Sequence, residues 1–194
     1  MTISSREQMD AVMDQLKQEK YQVLEVKKGE RVKKAPLPFI TSTLQQEASK
    51  VLNFSTQKTM RLAQQLYEGI DLKGAGTVGL ITYLRTDSTR ISEEADAAAR
   101  DYIGTTYGAE YVAKTVAAKK SNAKIQDAHE AIRPSDITRT PQAMKESLSR
   151  DQFRLYQLIW KRFAASRMAN AQYTTTSVKI DAAGYRFHVS ASKK

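Results

Sequence analysis

Residues 79–88 read Gly79-Leu80-Ile81-Thr82-Tyr83-Leu84-Arg85-Thr86-Asp87-Ser88. Apolar and β-favouring side chains fill 80–84, so the run predicts a strand. On extended backbone Tyr83 and Arg85 project to the same face. That pairing carries chemistry, because a phenol with a reference pKa of about 10 is a poor nucleophile at neutral pH. A neighbouring guanidinium favours the phenolate and can hold an anionic phosphodiester. Thr86, Asp87 and Ser88 add polar groups able to orient water, the arginine or a sugar-phosphate. Nine tyrosines occur in the chain and most must serve packing, so the segment alone suggests a tyrosine nucleophile without settling it.

Working outward, helices flank this run. Upstream, Thr43 with Gln46 forms a capping box, and Leu44, Ala48, Val51 and Leu52 make an apolar stripe. Asn53-Phe54-Ser55 interrupts, and Ser55 caps a second helix offering Leu62, Ala63, Leu66, Tyr67 and Ile70 to a core. Two helices joined by a short turn resemble a helix-turn-helix, a pattern that most often only builds a core. Gly74, Gly76 and Gly79 punctuate its exit. Downstream, Ser92 caps a helix whose Glu93 and Glu94 suit the positive end of the helix dipole. Its apolar side carries Ala95, Ala98, Ala99, Tyr102 and Ile103. Residues 114–127 are polar around Lys119-Lys120-Ser121-Asn122, an expected exposed loop.

A second informative segment is Asp127-Ala128-His129-Glu130-Ala131-Ile132-Arg133-Pro134. If 128–133 is a helical turn ended by Pro134, His129 and Arg133 share a face at i, i+4. Together they can grip a phosphate, and histidine can pass a proton near neutral pH. The string begins like His-Glu-x-x-His, but its fifth position is Arg133, which binds no metal. The one other histidine is His188. A zinc site, a P-loop, a Ser-His-Asp order and an Asp-x-Asp magnesium pair are all missing from the sequence.

The ends of the chain carry strands. Ser4 or Ser5 caps a helix to about Glu19, with Met9, Val12, Met13 and Leu16 as its stripe. Residues 21–26 predict a strand, and the basic, proline-bearing 27–38 predicts a crossing between units. Pro141 precedes a long helix over about 150–169, with Phe153, Tyr156, Ile159, Trp160 and Phe163 on its core face. Residues 173–180 and 185–191 predict a hairpin around Ala182-Ala183-Gly184. The chain stops at Lys194 within a strand pattern and reads as cut rather than finished.

The chain has 194 residues, enough for one large or two small domains. Lys and Arg number 31 against 21 Asp and Glu, a net charge of +10 that favours an acidic partner, nucleic acid first. Cysteine is absent, which excludes disulfides and thiolate metal sites. No apolar run is long enough to span a bilayer, and no signal peptide is visible. A cytoplasmic setting and no membrane partner are therefore expected.

Taken together, residues 79–88 and 128–134 resemble the two signature segments of bacterial DNA topoisomerase I, a type IA topoisomerase. The run Pro38-Phe39-Ile40-Thr41-Ser42-Thr43-Leu44-Gln45-Gln46 is similar to a third, and order and spacing also fit. Leu84 stands where bacterial topoisomerase I often has methionine and the topoisomerase III branch often has proline, which favours the first branch.

The resemblance implies an α+β, mainly helical fold: a winged-helix-like tyrosine domain plus part of a strand-rich arch. Residues 1–38 would be the first part of the arch, 39–134 the DNA-binding domain with Tyr83, and 135–194 the returning arch. Tyr83 would attack single-stranded DNA to form a 5′-phosphotyrosyl bond, so that strands pass and negative supercoils relax without ATP. Arg85 would be its catalytic partner. His129 and Arg133 would bind DNA near the break, with Thr82 and Asp87 supporting them. Mg²⁺ is implied only outside this chain, in an acidic Toprim domain that nothing here resembles. Partners would be single-stranded and negatively supercoiled DNA and the remaining domains of the same protein. The alternative is a non-catalytic helix-turn-helix DNA-binding module.

Overall fold

The computed structural model describes residues 2–72, 74–114 and 129–194. They form an α+β fold of two compact units, one holding both chain ends and the other spanning Lys34–Asn170.

The first unit contains α1 (Arg6–Gln18), β1 (Gln22–Lys33), β4 (Ala171–Ala182) and β5 (Tyr185–Lys193) in an antiparallel sheet of order β1-β4-β5. Ser5 caps α1, its hydroxyl accepting the Gln8 N–H. Of the apolar stripe on this helix only Leu16 is buried, while Met9 and Met13 are exposed. The expected crossing over 27–38 is corrected by the register. Lys27 to Lys33 continue β1, pairing from Ser177 back to Ala171, because the extended partner strand satisfies their backbone groups. The β4–β5 hairpin turns at Ala183 and Gly184, both at positive φ, as a two-residue turn compatible with strand twist requires.

The second unit runs through α2 (Thr41–Leu52), α3 (Thr56–Glu68), β2 (Ile70–Leu72), β3 (Gly76–Val78), α4 (Glu93–Tyr107), α5 (Pro141–Met144) and α6 (Arg150–Arg167). α2 begins two residues before the expected Thr43 cap. Thr43 lies inside the first turn, where its hydroxyl accepts the Ile40 N–H at 3.0 Å. Asn53 takes the left-handed conformation that closes α2, and the buried Phe54 N–H bonds back to the Ala48 carbonyl. Ser55 then caps α3. The glycine-marked exit of α3 is a short antiparallel ribbon, β2 with β3, which completes a helix-turn-helix with a wing.

α6 supplies the centre of the core. Leu155, Tyr156, Ile159 and Phe163 are buried against α2, α3 and α4 together with Leu44, Leu62, Leu66 and Ile103. Each such side chain contributes about 1.5–3 kcal/mol. Two polar tips inside this core are satisfied: the Tyr156 hydroxyl donates to the Arg139 carbonyl and Trp160 Nε1 to the Ile137 carbonyl. The apolar face of α6 packs within the compact unit spanning Lys34–Asn170, which also holds Tyr83. Val51, expected in the core, is exposed. The loop expected over 114–127 lies, apart from Lys114, outside the described residues.

Candidate active site

The segment carrying Tyr83 is not a strand. Leu80, Ile81 and Leu84 are buried, yet only Ile81 forms a bridge, to Pro134. The run has no continuous neighbouring strand, so its backbone groups are satisfied one by one. The Leu80 N–H donates to the Leu66 carbonyl of α3 at 2.7 Å, and the Ser135 N–H donates to the Leu80 carbonyl at 3.0 Å. The Ser135 hydroxyl donates to the Gly79 carbonyl at 2.7 Å. Gly79 lies so close to α3 that a Cβ there would sit 2.7 Å from the Tyr67 carbonyl oxygen.

Residues 129–133 form no helical turn, which corrects that part of the turn expected over 128–133; Ala128 lies outside the described residues. Ile132 bridges Phe39, and the Ala131 N–H donates to the Arg90 carbonyl. Thr82 joins the two segments. Its N–H donates to the Arg133 carbonyl at 2.9 Å, and its hydroxyl donates to the Ala131 carbonyl at 2.7 Å. The same hydroxyl accepts the Arg133 N–H at 3.0 Å. This pairing brings the half-buried Tyr83 ring against the exposed His129 imidazole, with centroids 4.9 Å apart and planes inclined at 37°. Tyr67, at the end of α3, meets Tyr83 edge-on at 5.5 Å.

The Arg133 side chain is engaged within its own segment. Its guanidinium is 12 % exposed and held by Glu130, at 2.7 Å from Nε and 2.6 Å from Nη2, while Nη1 donates to the Pro134 carbonyl. A guanidinium committed to a carboxylate and a carbonyl is a brace for the loop that presents His129. Arg85 is exposed, and among the described residues no hydrogen bond or ion pair engages its side chain. Asp87 is exposed as well. Thr86 and Ser88, by contrast, are buried and turn the backbone: the Thr86 hydroxyl accepts the Ser88 N–H and the Ser88 hydroxyl accepts the Arg90 N–H.

Three contributors were not singled out in the sequence. Thr41, the first residue of α2, has its Oγ1 2.8 Å from the Leu84 carbonyl and 3.0 Å from the Thr86 carbonyl, and it accepts the Thr86 N–H at 2.9 Å. Glu130 fixes Arg133. Tyr67, read as a core residue, is 40 % exposed beside Tyr83. Only the Ser/Thr-rich start of α2 offered a signal, since hydroxyls there so often bond to backbone.

No three potential metal-ligating side chains gather among the described residues, and Glu130 is closed off by Arg133. No described helix is long and apolar enough to cross a membrane.

A family model described as DNA topoisomerase matches residues 1–194. Among solved structures, full-length topoisomerase I from Thermotoga maritima is similar at 40 % sequence identity with a TM-score of 0.84. The match covers 100 % of this chain and 30 % of that chain, so the chain spans less than a third of that relative's length. With a match of this identity running over its whole length, the chain belongs to the bacterial type IA DNA topoisomerases.

Proposed function

We propose that this chain carries the nucleophile of a topoisomerase that cuts and reseals one DNA strand. The Tyr83 phenolic oxygen attacks a backbone phosphorus of single-stranded DNA and loses its proton. A bond forms between that oxygen and the 5′-phosphate, the bond to the 3′ oxygen breaks, and the 3′ oxygen leaves as a hydroxyl after taking up a proton. One phosphodiester bond replaces another of similar energy, so the reverse attack reseals the strand without ATP. Between the two steps another strand passes and negative supercoils relax.

The observation that carries this reading is the meeting of Tyr83 with His129, which brings two distant signature segments to one surface. A half-buried phenol beside an exposed imidazole is accessible to a phosphate from the solvent side. Arg85, exposed and with no partner among the described residues, supplies the positive charge that steadies the phosphate and the phenolate. His129 contacts DNA next to the break. Thr82 and Arg133 act behind it, holding the loop, and Asp87 orients groups at the exposed rim. Mg²⁺ belongs to residues outside this chain, and so do the Toprim and other domains needed for strand passage. The cytoplasm is the expected setting.

The test is a full-length enzyme containing this chain, incubated with a single-stranded oligonucleotide and quenched with detergent. The native enzyme forms a covalent 5′ adduct, whereas Tyr83→Phe forms none yet keeps its fold. Adduct formation by Tyr83→Phe at the native level overturns the proposal. A non-catalytic helix-turn-helix module, favoured by the α2–α3 pair and its β2–β3 wing, would show no adduct in either protein.

A further inference from the structure

We infer that Tyr67 is a stacking platform for the nucleobase adjoining the phosphate that Tyr83 attacks. The inference rests on the proposed role of Tyr83 and extends it to how the DNA base is held. Tyr67 lies in the last turn of α3, whose core side is filled by Leu62, Ala63 and Leu66, all buried. Its own ring points elsewhere: it is 40 % exposed, and among the described residues no hydrogen bond engages its hydroxyl. A large aromatic left in solvent beside a reactive group is a costly arrangement for packing alone and a suitable one for a ligand with a flat apolar face.

The position of the ring is well defined. It touches Tyr83 edge-on at a centroid distance of 5.5 Å. Its backbone is clamped to the segment that leads to Tyr83, through the Leu80 N–H donating to the Leu66 carbonyl and through the close approach of Gly79 to the Tyr67 carbonyl. These contacts tie the backbone of Tyr67 to the segment that carries Tyr83. In this proposal a base neighbouring the phosphate at Tyr83 rests on Tyr67, whose ring centroid is 5.5 Å from that of Tyr83. Base–aromatic stacking tolerates any sequence, because every base has a π-face, which suits an enzyme acting at many sites.

The experiment uses the full-length enzyme and a single-stranded oligonucleotide carrying 2-aminopurine at each position in turn around its mapped cleavage site. Stacking quenches the fluorescence of this base. Native enzyme and Tyr67→Phe should quench strongly at one position next to the cleaved phosphate. Tyr67→Leu, which keeps apolar bulk but has no π-face, and Tyr67→Ala should lose that quenching. Both should bind roughly five- to a hundred-fold more weakly. Tyr83→Phe should keep the quenching while losing the covalent adduct, which separates this inference from the proposed nucleophile. If Tyr67→Leu and Tyr67→Ala, folded by circular dichroism, retain native quenching and affinity, the platform is overturned. If Tyr83→Phe still forms adduct, the proposed function fails whatever Tyr67 does.

Discussion

The Tyr83 ring lies 4.9 Å from the His129 imidazole because Thr82, the residue before it, is hydrogen-bonded to both Ala131 and Arg133. Bonds from the Thr82 backbone and hydroxyl to the partner segment hold the two rings near each other. The site is therefore as rigid as the pair of extended segments that builds it.

Arg85 is exposed and its side chain has no hydrogen-bond or ion-pair partner among the described residues, so its removal should spare the fold and damage the proposed chemistry. A charge-assisted bond to a phosphate is worth about 1.5–3 kcal/mol. Arg85→Ala should slow adduct formation by roughly ten- to a hundred-fold, with the thermal midpoint unchanged. Single-turnover cleavage assays and a melting curve check both halves.

Gly79→Ala tests the close approach between α3 and the tyrosine segment. The added methyl would meet the Tyr67 carbonyl at 2.7 Å, and backbone cannot swing aside as a side chain can. A loss of about 1–3 kcal/mol is expected in urea unfolding, together with slower cleavage.

Thr41→Val removes the hydroxyl that lies within hydrogen-bond distance of Leu84 and Thr86 while keeping the shape. The Thr86 N–H then loses its partner, at a cost of about 1–3 kcal/mol. Stability should fall and adduct formation with it, whereas Thr41→Ser should restore most of both.

Acid should weaken the fold through Asp96. Burial pushes its carboxyl up, but hydrogen bonds from Arg100 and Arg167 outweigh burial and hold it below the ordinary aspartate range. Asp136 is lowered in the same way, burial being outweighed by hydrogen bonds from Thr138. A carboxyl lowered in the folded state adds stability above its unfolded value of about 4, and that stability is lost as the pH falls through the folded value. Urea midpoints should therefore drop below about pH 4. Asp96→Asn should lower the midpoint at pH 7 and flatten the acid decline.

With a net charge of +10, the isolated chain should bind single-stranded DNA through phosphates. Its affinity should fall steeply between low and physiological salt. An affinity that ignores salt would contradict phosphate-led binding. The same chain, lacking the other domains, should relax no supercoiled plasmid even with magnesium.

Much of this was legible along the chain because it depends on local rules. Ser5, Ser55 and Ser92 cap the helices they precede, and Ala183-Gly184 turns the final hairpin. Capping and turn chemistry act over a few residues and leave a readable pattern. The signature segments around Tyr83 and His129 were equally visible as strings.

What those strings do with their backbones was decided elsewhere. Residues 80–84 look like a strand, yet they form none, since their hydrogen bonds go to Leu66, Arg133 and Ser135 rather than to one neighbour. His129 and Arg133 look like one helical face, but Thr82 and Phe39 draw that segment into extended pairing, and Glu130 takes the arginine. Tyr67 looks like core until α3 is docked through Thr59, Leu62, Ala63 and Leu66, which leaves Tyr67 at the edge of the buried face. Local propensity names the residues that can act. Which of them meet, and which are consumed in holding the others, depends on partners far away in the chain, and only the tertiary fold supplies those.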